Sequence, residues 1–161
     1  MTTDRGTLPA GDAVTGPAGP DLGWKVVVAL KDGLPAGVAL NAAAHLALGL
    51  RDKAQACPDA VGRMAFITYE DAGGGRHEPI SALSLIVLTG RPSHLRRLRA
   101  EAAEAGLLHV DFTDTMTGDT YTEQLERTKA TPEDGLDYYG VALFGPRDVI
   151  DPLTRRLSLW R

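Results

Sequence analysis

The run Trp24-Lys25-Val26-Val27-Val28-Ala29-Leu30 decides the fold. It is short, β-branched and apolar at consecutive positions, so neither face of the strand it forms can be left to water. Strands of that kind lie in the middle of α/β sheets, with helices over both faces. Lys31-Asp32-Gly33-Leu34 breaks the run, and Pro35 suits the first turn of a helix, where an N–H is unpaired in any case. The predicted helix, Pro35–Leu50, carries Val38, Leu40, Ala42, Ala43, Ala44, Leu46, Ala47 and Leu48. A helix apolar on nearly every side is expected to be buried, inside the domain or against a partner subunit.

Downstream, strands and helices alternate. Met64–Tyr69 reads as a strand, Gly73-Gly74-Gly75 as a hairpin connection and Leu83–Leu88 as the returning strand. The three glycines lack the Gly-Lys-Ser/Thr ending and following helix of a phosphate loop. Pro92-Ser93 opens a helix with Leu95, Leu98, Ala102 and Ala105 at helical spacing, ended by Gly106. Leu107–Thr113 reads as a strand. Thr120 and Glu123 have capping-box spacing for a helix running towards Lys129. A strand over Tyr138–Phe144, the Gly145-Pro146 turn, a short helix with Val149, Ile150 and Leu153, and an edge segment with Leu157 and Leu159 complete the chain. The class is α/β: a three-layer α/β/α arrangement around a small mixed sheet.

Residues 1–23 stand apart, with five glycines, three prolines and almost nothing able to form a core. Their composition predicts a flexible tail ahead of a single domain over residues 24–161. The chain has 161 residues, 43% of them apolar, and a net charge of -4. The tail's Asp4, Asp12 and Asp21 against Arg5 account for half of that charge, which leaves the domain at -2 and still acidic. That balance argues against a generically basic nucleic-acid binder. One cysteine, Cys57, excludes an internal disulfide framework and a multi-cysteine zinc cluster. With no basic-then-apolar leader and no run of about 20 apolar residues, the expectation is a soluble, cytoplasmic protein without a membrane span.

Four stretches carry a family likeness: Val26–Leu34, Leu40-Asn41-Ala42-Ala43, Pro132-Glu133-Asp134-Gly135-Leu136-Asp137 and Val141-Ala142-Leu143-Phe144-Gly145-Pro146. In their order, the chain resembles type II peptidyl-tRNA hydrolases and is more closely similar to the domain-of-unknown-function family numbered two thousand. The resemblance implies an α/β/α layer with a mixed sheet, and frequent homodimers. It does not bring the hydrolase motifs with it. Aligned on His45, the family's lysine-bearing, glycine-rich loop becomes Gly33-Leu34-Pro35-Ala36-Gly37, which keeps Gly37 and has no lysine. The glutamine three residues before the histidine is Ala42. The glycine-arginine-threonine after the later aspartate, matched to Asp114, is Met116-Thr117-Gly118. Binding of polyanionic tRNA depends on neutralising phosphates, so losing these cations argues against peptidyl-tRNA turnover.

Asn41 and His45 are the hydrogen-bonding side chains of Pro35–Leu50, and their i,i+4 spacing puts both on one side of the helix. A buried imidazole facing a cavity is a candidate acid/base; the structural alternative is a histidine bonded to a carbonyl. Asp111 and Asp114, followed by Thr115 and Thr117, lie beyond a strand's carboxyl end, where α/β folds bind ligands; the alternative is helix capping. Lys31 is the nearest cation to the first loop. Arg91, Arg96, Arg97 and Arg99 form either an anion patch or a solvated helix face. Cys57 lacks the cations of a reactive thiol, and His77 and His94 lack spaced partners for a metal.

The leading expectation is a small enzyme acting on an acyl- or amide-type metabolite. His45 and Asp114 are its catalytic residues, and Asn41, Lys31, Thr115 and Thr117 contact the substrate. No metal or cofactor is expected, and nucleic acid is an unlikely partner. The competing expectation is a non-catalytic, dimeric binding or accessory protein, and a weaker third is peptidyl-tRNA hydrolysis itself.

Overall fold

In the computed structural model, which describes residues 23–161, the run at Val26–Leu30 is the centre of the molecule. The expected tail, apart from Gly23, lies outside the described residues. Strand β1 (Trp24–Lys31) leads through a turn into α1 (Ala36–Ala54) and the short α2 (Pro58–Arg63). Two short strands, β2 (Phe66–Ile67) and β3 (Ile80–Ser81), form an arm. Then come β4 (Ser84–Gly90), α3 (Pro92–Glu104), β5 (Leu108–Thr113), α4 (Tyr121–Ala130), β6 (Tyr138–Pro146), α5 (Arg147–Thr154) and β7 (Ser158–Leu159).

The main sheet has the order β5-β6-β1-β4-β7. β4 runs parallel to β1 from Lys25↔Ser84 to Lys31↔Gly90, and β6 runs antiparallel from Trp24↔Pro146 to Leu30↔Gly140. The sheet is therefore mixed. Alternation along β1 divides the core in two. Val26, Val28 and Leu30 pack with Ala42, Leu46 and Leu50 of α1, while Val27 and Ala29 pack with Leu95 and Leu98 of α3 and Ile150 of α5. Helices lie over both faces, which is why consecutive positions of β1 had to be apolar. Each fully buried Leu or Val contributes roughly 1.5–3 kcal/mol relative to exposure. Lys25, the polar exception on β1, is buried and ion-paired with Asp151 of α5.

Two expectations need correction. The glycine-rich hairpin does not join two long strands of the sheet. Met64–Tyr69 shortens to β2, and its partner is β3, while most of Leu83–Leu88 enters the main sheet as β4. The arm is exposed and has little to bury, so its regular pairing is limited to two residues, with an isolated bridge between Glu70 and Arg76 nearer the tip. Its tip is held by Asp71, whose Oδ1 accepts from Gly73 N at 2.7 Å and Gly75 N at 3.0 Å. The second correction concerns α1, which runs four residues beyond Leu50 and is not buried all round. Ala39, Ala42, Leu46, Leu50 and Ala54 form its one buried stripe, whereas Leu40 is 60% exposed and Leu48 72% exposed. It is an outer layer with solvent on its far side, and alanine-rich composition hid that asymmetry.

Candidate functional site

The polar residues nominated from sequence at the strand ends do come together, but in a network closed on itself. The Asp114 amide donates to the Asp137 carbonyl at 3.0 Å, and the Asp137 amide donates back to Asp114 Oδ1 at 3.1 Å. This exchange closes the ends of β5 and β6. Lys31, at the end of β1, pairs with Asp137 Oδ2 at 2.5 Å and lies 5.4 Å from the centroid of the Tyr139 ring. Thr115 is buried, and its Oγ1 lies 2.8 Å from both Thr113 Oγ1 and Thr128 Oγ1. Thr117 Oγ1 donates to the Asp114 carbonyl at 2.7 Å. Arg127 of α4 fixes the same loop through the Thr115 and Thr117 carbonyls and the Asp119 carboxylate. These groups bond one another and hold the loop after β5, and the two carboxylates and the Lys31 ammonium engage only part of their hydrogen-bonding capacity in doing so.

Asn41 and His45 share a face of α1, and that face is exposed. The expectation of a buried imidazole is corrected, because the buried stripe of α1 runs through Ala42 and Leu46. The His45 ring stacks on Phe112 of β5, with centroids 5.5 Å apart and planes at 18°. Among the described residues no hydrogen bond joins His45 to Asn41 or Asp114. The arginine run is also structural: Arg96 donates to the Asp134 and Leu136 carbonyls, Arg97 lies 3.4 Å from Glu101, and Arg99 lies 3.7 Å from Asp111. Tyr138, beside Arg96, is buried and donates to Glu133; burial first, and then that bond, push its phenol above the ordinary range. Cys57 is exposed. Among the described residues no cluster of three or more His, Cys, Asp or Glu could hold a metal ion, and no helix is long and apolar enough to cross a membrane.

The concave feature with ligand-like chemistry lies elsewhere. Helix α1 packs over β1, β5 and β6, leaving the same face of β4 largely uncovered. Leu85 pairs in register with Val26 yet remains 47% exposed. The β2–β3 arm stands across that gap, and between arm and helix lies a groove of about 240 Å³. Ala47, Leu48, Leu50 and Arg51 line it from α1, and Phe66 and Ser81 line it from the arm. Val26, Met64, Leu83 and Leu85 complete it. Its lining is mainly apolar, with two polar groups. The Arg51 guanidinium lies 5.8 Å from the centroid of Phe66, and its Nη1 is buried without a hydrogen-bond partner among the described residues. Ser81 Oγ accepts from Leu83 N at 3.3 Å and keeps its own proton to donate.

Sequence reasoning missed this site. Its available signal was the surplus of leucine on α1: Leu48 is apolar, lies outside the buried stripe and precedes Arg51 by one helical turn. A second, smaller cavity of about 130 Å³ lies between α3 and α5, where Arg97, Glu101, Arg155 and Arg156 give it a polar lining.

Comparison with known proteins places this geometry in a family without a described activity. A family model described as "Protein of unknown function (DUF2000)" matches residues 24–161. No curated protein matches. A solved structure of a protein of unknown function from Agrobacterium tumefaciens strain C58 is similar, with a TM-score of 0.69 and 21% sequence identity; the match covers 86% of this chain and 98% of that one. At that identity the likeness concerns the fold alone.

Proposed function

The chain belongs to this family of proteins of unknown function, DUF2000, and we propose that it acts as a binding protein for a small apolar molecule. The groove between α1 and the arm carries the reading. It is concave, lined mainly by aliphatic and aromatic side chains, and furnished with two polar groups able to orient a guest, as small-molecule sites are. Leu48 and Leu85 stay exposed there at a cost in burial that a bound apolar molecule would recover. By contrast, the polar residues at the strand ends support the loop after β5 through their mutual bonds. The groove is built from one chain and needs no second copy.

The scaffold, on the same reading, is of the type II peptidyl-tRNA hydrolase-like kind without that enzyme's task. The loop Gly33–Gly37 has no lysine, and the domain is acidic, so the phosphate neutralisation on which tRNA binding depends is missing. An acid/base enzyme is the second reading. It is favoured by the exposed His45 ring, whose nitrogens have no hydrogen-bond partner among the described residues and stand open to a substrate.

Titration of ¹⁵N-labelled protein with 1-octanol tests the binding reading. Saturable shifts are expected at the amides of Leu48, Ser81 and Leu85, unchanged in H45A and abolished in A47F, whose ring fills the groove. Shifts in A47F equal to those of the unsubstituted protein would overturn it.

A further inference from the structure

We infer that the natural occupant of the groove is an amphipathic monocarboxylate, with its apolar body against Leu48, Phe66 and Leu85 and its carboxylate on Arg51. The inference rests on the binding reading and adds the chemical class of the ligand. A guanidinium stays charged at any physiological pH, and a buried donor on such a group is costly to leave unmatched. Arg51 Nη1 is in that state. Nε of Arg96 and Nε of Arg99 also lack hydrogen bonds, but each lies 3.7 Å from a carboxylate, Glu133 and Asp111 respectively. Among the described residues Arg51 has no such neighbour. The carboxylate next to it in sequence, Asp52, accepts from Gln55 Nε2 at 3.1 Å. Lys53, the other cation in the last turn of α1, donates to the His109 carbonyl at the edge of β5. Phe66 offers the Arg51 cation a ring face but no acceptor atom.

No acidic side chain lines the groove among the described residues, so its complement is an apolar body bearing one negative charge. A carboxylate suits a cation in the lining, since it can accept a charge-assisted hydrogen bond from the Arg51 guanidinium. A phosphate monoester, with more charge and more acceptors, would find too few donors here. Size sets the body. The groove of about 240 Å³ exceeds the ~150 Å³ apolar cavity that admits benzene. That suits a medium-length acyl chain or one ring on a short tail.

Three ligands of one length and different heads provide the test: octanoate, 1-octanol and octylammonium, titrated at neutral pH into the full chain and followed at the amides of Leu48, Ser81 and Leu85. Octanoate is expected to bind about tenfold or more tightly than octanol, because one hydrogen bond to a charged group has that size of effect. Octylammonium should be the weakest. R51Q should bring octanoate down to the affinity of octanol while leaving octanol within about twofold, and R51K should keep part of the preference; thermal melting verifies that both variants are folded. Equal affinity for octanoate and octanol, or undiminished octanoate binding in folded R51Q, overturns the carboxylate assignment and leaves the groove intact. If none of the three ligands shifts those amides, the binding reading itself falls.

Discussion

Gly140 lies on β6 directly beneath α1, and replacing it with alanine tests whether the helix sits on the sheet as tightly as described. A Cβ built there would stand 2.6 Å from Leu46 Cδ1, 3.1 Å from Leu30 Cδ2 and 3.2 Å from the Ala29 carbonyl oxygen. The first distance is below any real Cβ contact, and the last involves the backbone of the central strand, which cannot yield. Leu46 and Leu30 are each only 2% exposed, so their methyl groups must be accommodated within the core and not in solvent. Over-packing of this kind costs about 1–3 kcal/mol. Loss of glycine's freedom in the unfolded chain returns about 0.4–1 kcal/mol, so the net sign stays destabilising. At about 2–4 °C per kcal/mol for a domain near this size, G140A should lower the melting temperature by up to roughly 10 °C. G37A is the control: Gly37 lies in the first turn of α1 with nothing within 4 Å of its would-be Cβ, so the same substitution should stabilise by about 0.4–1 kcal/mol. Calorimetric melting of both variants reads the two signs. Ligand titration of G140A reads the consequence for function, because the helix displaced through Leu46 also carries Ala47, Leu48 and Arg51 into the groove. A G140A melting temperature at or above the unsubstituted value would refute the packing of α1 on which the groove depends.

H45A and D114A should separate a surface ring from a structural carboxylate. H45A loses one partly exposed stack on Phe112 and should cost under about 1 kcal/mol, whereas D114A leaves the Asp137 amide without its acceptor and should cost about 1–2 kcal/mol, partly restored in D114N; urea unfolding giving the reverse order would contradict this assignment. The capping box of α4 should respond to acid. The Thr120 hydroxyl donates to the Glu123 carboxylate at 2.6 Å and the Thr120 amide at 2.9 Å, and these bonds hold Glu123 below the ordinary glutamate range. A lowered folded-state pKa means a contribution present above the ordinary value and lost as pH falls through the folded one, so the Thr120 and Glu123 amides should lose exchange protection in that acid window. E123Q should remove the acid dependence, and protection independent of pH in the unsubstituted protein would disprove the linkage.

Much of the fold could be read from the residues because the physics involved was local. Consecutive apolar positions in Val26–Leu30 demanded cover on both faces, and the two-sided core supplies it. The Thr120–Glu123 capping box and the positive φ of 64° at Gly106 after α3 depend on neighbouring residues in sequence, and both stand where the pattern put them. Errors arose where pairing partners compete at long range. Val28 pairs with Val87 in the sheet, and a strand with such a partner leaves the glycine hairpin only the short arm. Nothing within Met64–Leu88 announces that competition, since Phe66, Ile67 and Ile80 are as apolar as residues that the sheet recruits.

The candidate site was less legible, and α1 explains why. A helix with leucine and alanine on every side can be buried all round, joined to a second subunit or wrapped around a ligand, and composition alone gives these the same signature. Buried-stripe spacing decides between them only once the sheet beneath is known. Ala42 and Leu46 lie in the stripe, so Asn41 and His45 face outward, while Ala47 and Arg51, on the flank of the stripe, line the groove beside β4, and Leu48 reaches its rim from the exposed face. Polarity drew attention to Asn41 and His45, where the structure gives solvent exposure. Arg51 drew none, because a cation near a helix C-terminus is ordinary compensation of the helix dipole. What distinguishes it is a buried nitrogen without an acceptor, in a groove formed by residues from Val26 to Leu85. That property belongs to the assembled fold, since it depends on what the other elements fail to bring within reach. The proposed binding role therefore rests on a buried, unmatched donor of a residue lining the groove, and not on a histidine at a suggestive spacing.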